Sequence, residues 1–266
     1  FDVIVVGGGI NGMMVARELS ADGVRVILLE HGEPGREASW AAGGILSPLN
    51  PWRSADAITA LSLWSQDRFP ALADALRRET GIDPGWIQSG LLLLGQSETS
   101  QAEDWAQRWG VVVERVSAAE IEELEPALNR FTCGGIRLPG VAQIRSPRLL
   151  MALSRSLVQH GVRVESHTRV LDLLIEKECI RGVCTDRGDF HADVVVVCAG
   201  AWTESLLGGL VQGGQMVPVR GQMLMIDAGP GLLKHILQMK GNYLIPRDDG
   251  RILVGSTVEF VGFDRS

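Results

Sequence analysis

The chain has 266 residues, of which 45% are hydrophobic and 21% charged, with a net charge of −7. That length can bury a sizeable core as one large domain or two intertwined ones. The acidic balance leaves no basic footprint for nucleic acid, and no apolar run approaches the length of a membrane span. Cys133, Cys179, Cys184 and Cys198 form no C-x-x-C pair and have no histidine at ligand spacing. Zinc and a disulfide framework are therefore disfavoured, and buried thiols in a reducing cytoplasm are expected.

The first thirty residues organise the rest. Asp2-Val3-Ile4-Val5-Val6 reads as a strand buried on both faces of a parallel sheet, and Gly7-x-Gly9-x-x-Gly12 follows it directly. Gly7 allows the tight turn, Gly9 lets backbone approach a pyrophosphate, and Gly12 lets the next helix pack closely on the strand. The helix runs from Asn11 to about Ala21, and its N-terminus offers N–H groups and partial positive charge to phosphates. Gly23 ends it, Val24 to Glu30 forms the second strand, and Glu30 closes that strand where a carboxylate can accept from a ribose. Strand, glycine turn, helix and acid together predict a dinucleotide site. No charged-then-apolar leader precedes this strand, and a start at Phe1 rather than Met suggests that a few natural N-terminal residues are absent.

Gly32 to Leu46 is a loop rich in Ala, Ser and Gly, where a nicotinamide-type domain would place another strand–helix–strand unit. It suits backbone pressed against a flat ring system, and equally a flexible glycine loop. Ser54 to Gly81 is helical in pattern, with Pro70 read as the first turn of a second helix and Gly81 as its stop. Leu91 to Leu94 is a short strand, Glu98 to Trp109 an exposed helix and Val111 to Val116 a strand. Ser117-Ala118-Ala119-Glu120 is a capping box. Ser146 and Pro147 open another helix as N-cap and first residue. Arg163 to Leu174 and Ile180 to His191 read as a small antiparallel meander. Val194 to Cys198 reads as a strand buried on both faces that returns to the nucleotide sheet, so that Ala199 and Gly200 pass close to the ligand. Met223 to Ile226 is a strand, and Asn242 to Pro246 with Ile252 to Val254 a hairpin over Asp248-Asp249-Gly250. The expected fold class is α/β, a discontinuous Rossmann-type domain with a parallel sheet, into which an α+β domain on an antiparallel sheet is inserted. Residues 1–80 and 140–214 are assigned to the first domain, and 81–139 and 215–266 to the second.

Several stretches together resemble the FAD-dependent D-amino acid oxidase/glycine oxidase family, nearest to the glycine oxidase branch that serves thiamine biosynthesis. They are Val5-Val6-Gly7-Gly8-Gly9-Ile10-x-Gly12, Gly35-Arg36-Glu37-x-Ser39-Trp40-Ala41-x-Gly43-Gly44-Ile45-Leu46-Ser47-Pro48, Arg145-x-Pro147-Arg148-Leu149, Ala199-Gly200-Ala201-Trp202, Gly221-Gln222-Met223 and Tyr243-x-Ile245-Pro246-Arg247. The first is shared by many flavoproteins, and the Ser-Trp-Ala loop and Tyr-Ile-Pro-Arg hairpin are narrower. The resemblance implies a non-covalent FAD, with Ile10 and Asn11 beside the pyrophosphate and Glu30 and His31 at the adenosine ribose. Ala38 and Ser39 would meet the diphosphate–ribityl section, Gly43, Gly44 and Ile45 the flavin ring, and Val170 the adenine through its backbone. Tyr243, the only tyrosine, would face the substrate carboxylate as the catalytic candidate. Arg220, Arg247 and Arg251 read instead as surface or hairpin salt bridges.

The implied activity is oxidation of a small amine or amino acid such as glycine or sarcosine. Hydride passes from Cα to flavin N5, an imine forms, and oxygen is reduced to hydrogen peroxide, in a cytoplasmic enzyme without metal; a homo-oligomer is left open. A quinone-linked dehydrogenase of the same fold and a non-catalytic FAD-binding remnant are the rival readings. Family members continue past the hairpin into a segment with a carboxylate-binding arginine and a flavin-closing loop. The 266-residue chain alone is therefore expected to be weakly active or inactive.

Overall fold

Residues Val3–Val6 (β1) and Val26–Leu29 (β2) are wholly buried strands of Val, Ile and Leu, which can satisfy their backbone only by pairing on both sides. In the computed structural model, which describes residues 1–95, 98–128, 133–207, 210 and 216–264, they lie at the centre of a four-stranded parallel sheet. The remaining elements, in order, are α1 (Ile10–Ala21), α2 (Ala38–Ala41), α3 (Asp56–Thr80), β3 (Leu91–Leu94), α4 (Thr99–Trp109), β4 (Glu114–Val116), α5 (Ala118–Leu124), β5 (Gly135–Leu138), α6 (Ser146–Gln159), β6 (Arg163–Glu165), β7 (Val170–Glu176), β8 (Cys179–Thr185), β9 (Gly188–His191), β10 (Val194–Val197), α7 (Thr203–Leu207), β11 (Leu224–Asp227), β12 (Ile236–Met239), β13 (Asn242–Pro246) and β14 (Arg251–Gly255).

The parallel sheet runs β10-β1-β2-β6. Alternation along the strands divides its side chains between two layers. Val3, Val5, Val26 and Leu28 pack with Leu76 of α3 and Leu149, Leu150, Leu153 and Leu157 of α6. Ile4, Val6, Ile27 and Leu29 face the meander β7-β8-β9 through Val183 and Phe190. A second, seven-stranded sheet has the order β11-β14-β13-β12-β3-β5-β4, antiparallel except where β12 runs parallel to β3. Trp105 of α4 packs with Leu91, Leu93 and Ile245 on one face, and Ile121 of α5 with Leu92 and Leu237 on the other. Strands from before and after the parallel sheet's closing strand thus form the two halves of one sheet, joined where β12 pairs with β3.

Several local expectations are corrected. Pro70 lies inside a single 25-residue helix, α3, rather than opening a second one. It sits on the solvent side, where water can serve the Gln66 carbonyl that proline leaves without a donor. Arg163 to Glu165 does not belong to the meander but extends the parallel sheet beside β2. The strand expected over Val111 to Val116 is confined to Glu114–Val116. β10 is a partly exposed edge, with Val194 49% accessible, rather than a strand buried on both faces. Cys133 and Cys179 are exposed and Cys184 and Cys198 half-buried, so the expectation of four buried thiols fails; all four are free. The capping box at Ser117 and Glu120 and the left-handed stop at Gly81 form as expected.

One polar cluster joins the three helices that cover the parallel sheet. Glu79 at the end of α3 accepts from Arg17 of α1 at 3.1 Å and from Ser156 of α6 at 3.0 Å, and lies 2.5 Å from His160 Nε2. Burial alone would raise its carboxyl, but Arg17, Ser156 and His160 outweigh it and hold the group below the usual glutamate range. A depressed carboxyl stabilises the fold above its unfolded-state pKa, and that stability is lost as pH falls through the folded value. Urea midpoints at about pH 6 and about pH 4 should therefore fall further apart in the parent than in Glu79→Gln, which should be less stable at the higher pH; equal differences in the two proteins would contradict this role.

Candidate functional site

The first half of the site is the turn between β1 and α1. Gly7 has φ +105°, and a Cβ there would stand 2.3 Å from the Cys198 carbonyl oxygen, while one on Gly12 would stand 1.9 Å from the Gly7 oxygen. Only glycine allows α1 to lie this close to β1 and to the end of β10. The same approach places Ala199, whose Cα is 3.2 Å from that Gly7 position, and Gly200 beside the turn. Gly9 is the N-cap of α1 without a side-chain cap, and the first turn of the helix holds no acidic residue. Ile10 N–H donates to Ser39 Oγ at 3.0 Å, so α2, with Ala38 and Ser39, sits over the helix start beside Asn11.

Glu30 is 6% exposed and ties the turn to the end of β2. Its Oε2 accepts from Gly8 N–H at 2.6 Å and its Oε1 from Gly32 N–H at 2.8 Å, with His31 Nδ1 2.9 Å from Oε1. A carboxylate has about four acceptor positions, so the group holds its loop and keeps capacity for a further donor. His31 also packs near Trp202, with ring centroids 5.2 Å apart, just past Ala199 and Gly200. Thr168 N–H donates to the Glu30 carbonyl at 2.8 Å, which brings Val170, at the start of β7, to the same end of the sheet.

The second half is where the small-residue loop meets β13. Residues 243, 245 and 247 share one face of the chain, and each meets Gly43. A Cβ on Gly43 would stand 2.9 Å from Ile245 Cδ1 and 3.5 Å from Tyr243 Cε2, and Arg247 Nη2 donates to the Gly43 carbonyl at 2.7 Å. Gly44 has φ +74°, and its carbonyl accepts from Ile144 N–H at 2.8 Å. Among the described residues, the N–H groups of Gly43, Gly44 and Ile45 make no hydrogen bond. In a trans peptide the N–H points opposite its carbonyl. With the Gly43 and Gly44 carbonyls both engaged, the Gly44 and Ile45 N–H groups face away from those partners as free donors. The Tyr243 ring lies over Gly255, whose Cβ would stand 2.4 Å from Cε2, and its hydroxyl donates to Met223 Sδ at 3.3 Å.

Arg247 corrects the salt-bridge reading. Its Nη1 donates to Gln143 Oε1 at 2.7 Å and to the Ile144 carbonyl at 3.3 Å, and no carboxylate among the described residues pairs with it. Burial, and then the neighbouring Arg145, push the guanidinium down to about 10, so it remains charged at neutral pH. Arg220 and Arg251 do pair with acids, Glu259 and Asp249. Ser146, expected as a helix cap, is instead the first residue of α6 and donates its hydroxyl to the Ala42 carbonyl at 2.8 Å. Sequence reasoning overlooked Arg247 and Ser146 as supports of the loop. The period-2 placement of Arg247 with Tyr243 was the available signal for the first; nothing local marks the second.

A model of the DAO family, described as FAD dependent oxidoreductase, matches residues 2–266. The chain belongs to this family. It is 42% identical over 265 residues to a glycine oxidase of Pseudomonas aeruginosa, covering 99% of this chain and 73% of that protein. It is 30% identical over 272 residues to the bifunctional protein ThiO/ThiG of Synechocystis, covering 98% of this chain and 39% of that one. The crystal structure of glycine oxidase from Bacillus cereus superposes with a TM-score of 0.91 at 28% identity, covering 99% of this chain and 73% of that one. This DAO-family chain is thus an amine or amino-acid oxidoreductase with FAD as cofactor.

The residues present fit FAD on their own chemistry. The start of α1, whose N-cap Gly9 has no side chain and whose first turn holds no acid, suits a diphosphate, and the glycine positions leave backbone room for it. Glu30 retains an acceptor for a sugar hydroxyl. The loop at Gly43 presents flat backbone and free donors, as a ring edge rich in acceptors requires. Among the described residues no group of acids, histidines or cysteines could hold a metal ion, and no helix is long and apolar enough to cross a membrane. The two loop glycines should differ on substitution. A Cβ on Gly44 would lie 2.0 Å from the Ile144 carbonyl in a left-handed conformation, whereas on Gly43 it meets the flexible tip of Ile245. Gly44→Ala should therefore destabilise by about 2–4 kcal/mol, well beyond Gly43→Ala, in chemical denaturation; equal losses would contradict the described packing.

Proposed function

We propose that this DAO-family enzyme is a glycine oxidase, acting on glycine or a similarly small amine such as sarcosine and releasing an imine and hydrogen peroxide. The same reading gives it a cytoplasmic setting and a place in thiazole formation for thiamine, in keeping with its likeness to the ThiO/ThiG protein. The observation that carries it is Tyr243. A tyrosine hydroxyl whose only partner among the described residues is a thioether stands next to the loop that offers free N–H groups to a ring. Sulfur is a weak acceptor, so the hydroxyl can exchange it for an anionic carboxylate with a gain in hydrogen-bond strength.

Bound FAD supplies the hydride acceptor and the route of electrons to oxygen. The protein's part is binding and orientation. The start of α1, with Ile10 and Asn11, and Glu30 with His31 hold the diphosphate and adenosine end, joined by Ala38, Ser39, Ala199, Gly200 and the Val170 backbone. Gly43, Gly44 and Ile45 line the ring. Tyr243 binds the substrate carboxylate and turns Cα–H toward the ring, which is the contribution that proximity demands. Gly255 leaves the tyrosine ring room to lie flat, since any side chain there would overlap it.

In the complete gene product, anaerobic glycine should bleach the visible flavin band, and readmitted oxygen should restore it with one peroxide per turnover. Bleaching without peroxide, together with activity linked to a dye acceptor, would favour the quinone-linked reading instead. Tyr243→Phe should weaken a carboxylate inhibitor such as acetate by about tenfold, the loss of one charge-assisted hydrogen bond. An unchanged inhibitor constant would remove Tyr243 from the carboxylate site.

A further inference from the structure

We propose that Arg247 is a positioning residue for the flavin: its guanidinium fixes the Gly43–Gly44 peptide against the Tyr243 face, so that the loop presents its free N–H groups at a set distance from the tyrosine hydroxyl. This inference rests on the reading that the flavin ring lies along Gly43 to Ile45.

The arrangement around Arg247 is that of a clamp rather than a charge pair. Three acceptors converge on it: Gly43 O at 2.7 Å, Gln143 Oε1 at 2.7 Å and Ile144 O at 3.3 Å. All three are neutral. Two acids lie close in sequence, yet Asp249 accepts from Arg145 at 2.5 Å, and Asp248 stands 3.9 Å from Arg145 and 3.7 Å from Arg148. The carboxylates are thus turned to other arginines, and the half-buried Arg247 is left to backbone and amide oxygens. Half-burying a cation with no carboxylate in contact, and with Asp248 and Asp249 acting on it only from a distance, is unfavourable, so packing alone would be better served by an apolar residue. What an apolar residue lacks is reach: the planar guanidinium carries donors on separate nitrogens and can hold acceptors from two segments at once.

The far side of the clamp is rigid. Gln143 is 1% exposed, its side-chain amide donates to Ser89 Oγ at 3.0 Å, and its backbone exchanges both hydrogen bonds with Ile87. The Gly43 carbonyl is therefore referred to the fixed Gln143 through Arg247, which lies on the same hairpin that carries Tyr243. Without that tie, the Gly43–Gly44 peptide would keep no hydrogen bond among the described residues, since the Gly44 carbonyl bond to Ile144 belongs to the next peptide, and it could rotate, redirecting the Gly44 N–H. A lysine at 247 would keep the charge but, with one nitrogen, could not reproduce the planar fork across both segments.

The test uses Arg247→Lys and Arg247→Met in the FAD-loaded protein. Three quantities are read: the FAD dissociation constant, the visible circular dichroism of the bound flavin, which reports how the ring is held, and the melting temperature of the FAD-free protein. The expected result is that both variants weaken FAD about tenfold and change the flavin dichroism, with Lys failing to rescue, while FAD-free Arg247→Lys melts within a few degrees of the parent. Parent-like FAD binding and dichroism in both variants would overturn the proposal. So would a loss of FAD that merely follows a large fall in the FAD-free melting temperature, which is the mark of a packing role. If Arg247→Met does not fold, Arg247→Lys alone decides on the same criteria. None of these readouts uses glycine, so failure of glycine to bleach the flavin would count against the substrate reading and leave this test standing.

Discussion

The site depends on one contact, the seating of Gly43 against a single face of the strand that carries Tyr243. Tyr243, Ile245 and Arg247 all meet that glycine, two through the space a side chain would fill and one through its carbonyl. This joins the loop that leaves the parallel sheet to the hairpin of the seven-stranded sheet. Ile144 and Ser146, on the lead into α6, hold the Gly44 and Ala42 carbonyls from the other side. A loop of small residues, which in isolation would carry a large conformational entropy, is in this way held by carbonyl bonds while, among the described residues, the N–H groups of Gly43, Gly44 and Ile45 stay free. Free donors in a held backbone make a binding surface, and the resident cofactor of the family is what that surface suits.

The opposite end of the cofactor site rests on a different physical device. There, close approach is obtained by removing side chains at Gly7 and Gly12, and polarity by a helix start whose N-cap is glycine and whose first turn has no acid. Glu30 holds the turn and the β2 end together with two backbone hydrogen bonds, so the acid proposed to face a ribose is also the one that shapes the loop beside it. One end of the site is organised by glycine sterics and a carboxylate, and the other by an arginine whose charge has no anionic partner among the described residues.

Much of this was legible in the sequence where the determinants are local. The β1–Gly7–α1 turn, the capping box at Ser117, the stop at Gly81 and the hairpin over Asp248 to Gly250 all rest on residues within a few positions of one another, and all form. What was misread depends on partners far along the chain. β6 pairs with β2 because the buried parallel sheet needs a further strand, which its own three residues do not announce. Pro70 continues a helix because Phe69, Leu72 and Leu76 around it pack α3 against the core shared with α6 and the sheet, overriding a local breaker. β10 looked like a central strand from its four valines, but it is the last in its sheet, and composition does not encode position in a sheet. Arg247 was misassigned because its partners lie near residues 43 and 143, whereas the acids beside it in sequence pair elsewhere. The FAD family itself came from resemblance, and the glycine turn alone would also have admitted a nicotinamide dinucleotide.

A crystal structure of the FAD-loaded complete gene product with a small carboxylate inhibitor would test the account most directly. The account predicts the ribose hydroxyls on Glu30, the diphosphate at the start of α1, the ring edge within hydrogen-bond distance of the Gly43 to Ile45 N–H groups, and the inhibitor carboxylate on the Tyr243 hydroxyl. A ring seated away from that loop, or an inhibitor bound without Tyr243, would contradict it.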